Sequence, residues 1–87
     1  MAQVMELIDQ ERKRVKLSAE KFAHMVGVTT TTYSRQNNGK QGLGLDSLQA
    51  YARYARSVNN TTLLEALGAY ALEIEPDQIK IKPKKSN

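Results

Sequence analysis

The side chains best equipped for chemistry lie between Thr29 and Lys40. On a helix drawn over residues 30–37, Thr30, Thr31, Ser34 and Arg35 share one outward face. Hydroxyls both donate and accept hydrogen bonds, and a guanidinium offers a fixed fork of donors. Such a face is suited to recognising a pattern of donors and acceptors, not to breaking a bond. Little else in the chain suits bond-breaking. There is no Cys, and the sole His24 has no sequence-evident Ser or Asp partner. No Gly-x4-Gly-Lys-Ser/Thr phosphate loop occurs. Glu73, Glu75 and Asp77 read as a solvated helix end rather than a metal cluster. An enzyme is therefore not expected, and neither a metal nor another cofactor is implied.

The charge is segregated. Residues 12–40 hold Arg12, Lys13, Arg14, Lys16, Lys21, Arg35 and Lys40 against Glu20, a sum of +6. Glu6, Asp9 and Glu11 give the first eleven residues −3, and residues 41–79 also sum to −3. Lys80, Lys82, Lys84 and Lys85 add +4 at the end. A basic stretch of this kind suits a polyanion partner, and it equally suits a solvated basic face. No apolar run approaches the ~18–20 residues of a membrane span. Glu6 and Asp9 also stand where a signal peptide needs a basic start and an apolar stretch. The expected location is the cytoplasm, with no membrane partner.

The elements that must position the Thr30–Arg35 face are short helices. Val4, Ile8 and Val15, flanked by Met5 and Leu7, predict a helix over about 3–15. Ser18 caps a second over 19–26, whose apolar face is Phe22, Ala23 and Val26 and whose stop is Gly27. Thr29 caps a third over 30–37. Its β-branched threonines are poor helix formers, so capping and the preceding Gly must outweigh propensity. Tyr33 is expected to face the core. Asn38-Gly39 ends this helix. Leu45, Leu48, Ala52 and Ala55 mark a fourth over 45–57, and Asn59-Asn60 a turn before a fifth over 61–73. The predicted class is all-α: five helices in one domain over 1–74, followed by a basic tail over 75–87.

A chain of 87 residues buries only about 60–65% of its unfolded surface, so its core is small. The fifth helix nevertheless carries more apolar surface than one stripe needs. A second copy of the chain would cover the excess, through Leu64, Leu67, Tyr70, Ala71 and Ile74. The alternative is that these residues finish the core of one protomer. In the tail, Ile79 and Ile81 alternate with lysines. They would pair as strands across a dimer, or belong to a disordered basic segment, which the four lysines and two prolines favour.

Residues 4–72 resemble the lambda-repressor-like helix-turn-helix family, which includes Cro-type repressors and antitoxin-type regulators. The matching residues are Leu17-Ser18, Phe22-Ala23, Val26-Gly27-Val28-Thr29, Tyr33-Ser34-Arg35 and Asn38-Gly39-Lys40, with Arg12 six residues before the Ser. Two positions depart from the pattern. Gln36 stands where the family usually has an apolar residue, and Asn37 where it has a Glu that commonly pairs with the first-helix Arg. Arg12 is thus left to Asn37 as an acceptor or to a phosphate.

The resemblance implies a dimeric transcription regulator, a repressor, that binds double-stranded DNA. The third helix would enter the major groove, with Thr30, Thr31, Ser34 and Arg35 at base edges. Ser18, Thr29, Gln36, Asn38 and Lys40 would contact phosphates. Lys16 and Lys21 would add to the field, and His24 is expected to be solvated. The alternative is an antitoxin-type module that holds a toxin or another regulator through residues 61–87. The two roles are compatible in this family.

Overall fold

A computed structural model describes residues 2–73, which form five helices and no strand. They are α1 (Ala2–Arg14), α2 (Ala19–Val26), α3 (Thr30–Asn37), α4 (Leu45–Ser57) and α5 (Thr61–Glu73). None among them is long and apolar enough to cross a membrane.

Local chemistry sets most of the boundaries. Ser18 Oγ accepts the Lys21 N–H at 3.2 Å, and Thr29 Oγ1 accepts that of Thr32 at 3.0 Å. Each hydroxyl satisfies an N–H that the first turn leaves without a partner. Gly27 ends α2 with φ +106°, and its N–H reaches the Ala23 carbonyl. Asn60 opens α5, its Oδ1 accepting the Leu63 N–H at 3.0 Å. The first helix closes one residue sooner than its apolar spacing predicts. Lys16 takes φ 60°, which turns the chain out of the helix just after Val15.

The core collects Val4, Met5 and Ile8 from α1, Phe22 and Val26 from α2, Tyr33 from α3, Tyr51 and Tyr54 from α4, and Leu63 and Leu67 from α5. Phe22 joins three helices. Its ring meets Tyr33 edge-on at 5.8 Å and Tyr54 edge-on at 5.4 Å between centroids. On α4 the buried residues are Ser47, Leu48, Ala50, Tyr51, Tyr54 and Ala55. The predicted stripe therefore needs a correction, because Leu45 and Ala52 sit at its margin and the two tyrosines lie inside.

The Gly-rich loop between α3 and α4 is pinned to α5. The Leu43 N–H donates to the Tyr70 hydroxyl at 3.0 Å. A Cβ on Gly42 would lie 3.2 Å from that same hydroxyl, so the glycine makes room for it. Tyr70 is 8% exposed and Leu67 3% exposed. Both were expected at a dimer interface, and both instead complete the core of a single chain. Much of the apparent apolar surplus of α5 is absorbed this way, because the helix packs against both α4 and α1.

Candidate nucleic-acid interface

Helix α3 is eight residues long and buries only Tyr33 and Gln36. Everything else on it is exposed or half-exposed. The buried pair is three residues apart and shares one face, which turns Thr30, Thr31, Ser34 and Arg35 to the opposite side. These four, with Asn38 and Lys40, line one shallow surface depression. The side chains expected to read bases and two of those expected to hold phosphates are thus gathered on one continuous surface. Among the described residues none of the four base-reading candidates has a side-chain hydrogen bond, and no carboxylate pairs with Arg35 or Lys40. Their polar groups remain open to a ligand.

Beside this surface, Lys21 and His24 of α2 border a groove with Glu20, Val28, Thr29 and Thr30. The hydroxyls of Ser18 and Thr29 are exposed at the starts of their helices but already employed as caps. Thr29 is committed twice, because it also donates to Thr32 Oγ1 at 2.9 Å. Ser18 keeps its hydroxyl proton for an outside acceptor, whereas Thr29 would give up that bond.

Three sequence-based expectations are corrected. Gln36 was expected at a phosphate and is 1% exposed. Its Nε2 donates to Ser47 Oγ at 2.8 Å, and the Tyr51 hydroxyl donates to its Oε1 at 2.9 Å. Its i+3 relation to Tyr33 was the signal that could have found this; a polar side chain on the core face needs partners, and α4 supplies them.

Arg12 does not bond Asn37. Its Nε donates to Asp9 Oδ1 at 3.0 Å and its Nη1 to the Leu17 carbonyl at 2.8 Å. It closes the α1–α2 turn.

The third correction concerns charge. Lys13 pairs with Asp9 at 3.3 Å, and Arg14 with Glu11 at 2.6 Å. The cations at the end of α1 are therefore offset by the acids before them. Within residues 12–40, the cations without an ion pair among the described residues are Lys16, Lys21, Arg35 and Lys40, nearer to α3 than the linear sum suggests.

Two carboxylates behind the surface hold it in place. Burial tends to raise the pKa of Asp9, but hydrogen bonds from Arg12, Tyr33 and Lys13 outweigh it and hold the group below its ordinary range. Glu11 is lowered chiefly by its bond from Arg14, against burial, with Tyr54 and Asn60 adding donors. Glu11 is 3% exposed and escaped the sequence reading, although it lies on the Val4–Ile8 stripe. Its Oε2 accepts the Tyr54 hydroxyl at 2.6 Å and its Oε1 accepts Asn60 Nδ2 at 3.1 Å, tying α1 to α4 and to the turn before α5.

Of the expected dimer residues, Leu64 is half-buried and Ala71 exposed. They line an apolar groove between α4 and α5 with Leu45, Leu48, Ala52 and Gly68. Leu72, nearby on α5, is 88% exposed. Ile74, Ile79 and Ile81 lie outside the described residues. No protein-family model matches the chain, and neither a curated protein nor a solved structure matches it at a significant level.

Proposed function

We propose that the chain is a sequence-specific DNA-binding regulator of the lambda-repressor-like helix-turn-helix type. Helix α2 would lie across the backbone and α3 in the major groove, whose width admits a helix. Thr30, Thr31, Ser34 and Arg35 would meet base edges. Thr methyl groups suit the thymine methyl, and the Arg35 fork suits guanine O6 and N7. Asn38, Lys40, Ser18 and the cap region at Thr29 would hold phosphates, with Lys21 contributing to the field. The observation that carries this reading is the single exposed surface of Thr30, Thr31, Ser34, Arg35, Asn38 and Lys40, whose charged members have no partner among the described residues. Occupying an operator would repress transcription without a cofactor.

A two-fold dimer would place two α3 helices about 34 Å apart, one turn of DNA. The apolar α4–α5 groove and the bare Leu72 support a protein partner on that side. The same groove supports the second reading, a module that holds a different regulator or toxin there. Selection of bound sites from random duplex DNA, with the mass of the complex measured, tests the proposal. A palindromic site bound by two chains is the expected result. Failure to enrich any site contradicts DNA reading, and one chain per site contradicts the dimer.

A further inference from the structure

We infer that Gln36 is a positioning residue for base discrimination: its buried amide, bonded to Ser47 and Tyr51, fixes the rotation of α3 and so decides how Thr30, Thr31 and Ser34 are presented. The inference rests on the DNA-reading proposal above.

Little holds α3 in place. Its core anchors are Tyr33 and Gln36 alone. Apolar burial is non-directional, so it fixes the rotation of a helix less sharply than hydrogen bonds do. Hydrogen bonds are directional. Both α3 anchors carry them, to opposite neighbours: Tyr33 to Asp9 of α1 at 3.1 Å, and Gln36 to Ser47 and Tyr51 of α4 at 2.8 and 2.9 Å. Only the Gln36 bonds lie wholly within the core. No buried side-chain polar atom among the described residues lacks a partner, so this network is fully satisfied as it stands.

Small rolls have large effects at the outer surface. A side-chain atom about 6 Å from a helix axis moves about 2 Å for a rotation of about 20°. Hydrogen-bond lengths vary by only about 0.5 Å. Arg35 is long enough to follow such a displacement. Thr30, Thr31 and Ser34 are not, so the base pairs they face would be the first to lose discrimination. An apolar side chain at this position would fill the same space but leave the Tyr33–Asp9 bond as the one directional side-chain tie from α3 to its neighbours among the described residues, because Asn37 stands where the family it resembles has a Glu that pairs with the first-helix Arg.

The test uses the site selected by the unmodified chain and a set of its single-base variants, at one salt concentration. The double variant Gln36→Leu/Tyr51→Phe removes both the amide and its main donor while keeping apolar volume. Loss of folded fraction weakens binding to every sequence alike and leaves the ratio between sequences unchanged, so the ratio reports α3 geometry. Discrimination of roughly tenfold or more per mismatched base pair should fall to about twofold at positions facing the short side chains. The slope of affinity against salt should stay unchanged. Should the double variant lose its helix content, Ser47→Ala/Tyr51→Phe removes the same two bonds with the Gln36 side chain retained. A folded variant that discriminates as the unmodified chain does overturns the inference and leaves DNA reading standing. An unmodified chain that selects no site overturns the functional proposal itself, and this inference with it.

Discussion

The Tyr33 hydroxyl donates to Asp9 Oδ1 at 3.1 Å, and the oxygen that receives it also receives Arg12 Nε at 3.0 Å. One carboxylate therefore joins the proposed recognition helix to the cation that closes the α1–α2 turn. Removing the hydroxyl leaves Asp9 with its two cations but cuts the tie to α3. Tyr33→Phe should lower stability by about 1–2 kcal/mol, the range for a partly buried bond to a charged acceptor. A urea titration should show a lower midpoint with the slope unchanged.

Glu11 is the more consequential acid. Replacing it with Leu strips the partner from the buried Tyr54 hydroxyl, at about 1–3 kcal/mol for a buried group left unpaired, and also from the half-buried Asn60 Nδ2. Arg14 is 62% exposed, and an exposed ion pair contributes less than about 1 kcal/mol. Thermal unfolding should therefore separate Glu11→Leu, strongly destabilised, from Arg14→Ala, nearly unaffected. Equal effects would mean that the Arg14 pair, not the internal bonds, is what Glu11 contributes.

Stability should decline at both ends of the pH scale. Asp9 and Glu11 have ordinary pKa values of 3.8 and 4.5 and are lowered in the fold. Their contribution is complete above those values and is lost as pH falls through the lowered ones. Tyr33 and Tyr54 run the other way. Burial first, then the neighbouring Asp9 and Glu11, pushes each from 10.0 up to about 12. That contribution is complete below pH 10 and is lost as pH rises toward about 12. Melting temperatures measured across pH should show a plateau between the two declines, and Tyr33→Phe should shrink the alkaline one.

Much of the fold was legible because it is local. The caps at Ser18 and Thr29, the stop at Gly27 and the turn at Asn59-Asn60 are local signals, and they place both ends of α2, the start of α3 and the α4–α5 turn. What was not legible depends on neighbours distant in sequence. Gln36 reads as a surface residue until Ser47 and Tyr51 fold against it. Leu67 and Tyr70 read as surplus until α1 and the Leu43 loop cover them. The cations of α1 read as a binding surface until Asp9 and Glu11, one turn back, pair with them. The face of α3 is polar and outward, as read, because Tyr33 alone already sets which side turns to the core.

Gly27 offers a test of the turn that sets α3 against α2. A Cβ there would touch nothing within 4 Å, so the cost of Gly27→Ala is purely that of φ +106° in a residue with a side chain. That cost is about 1–2 kcal/mol. A melting curve showing no loss would mean that the turn does not require the left-handed conformation.

The central claim is that α3 reads bases while the residues at its end hold the backbone. Band-shift titrations of Arg35→Ala and Lys40→Ala on the selected site and its single-base variants, across a range of salt, test it most directly. Arg35→Ala should cost about 1–3 kcal/mol on the selected site and relax preference at one base pair. Lys40→Ala should weaken all sequences alike and reduce the salt slope by about one. An Arg35→Ala protein that ranks every site variant as the unmodified chain does would contradict the account.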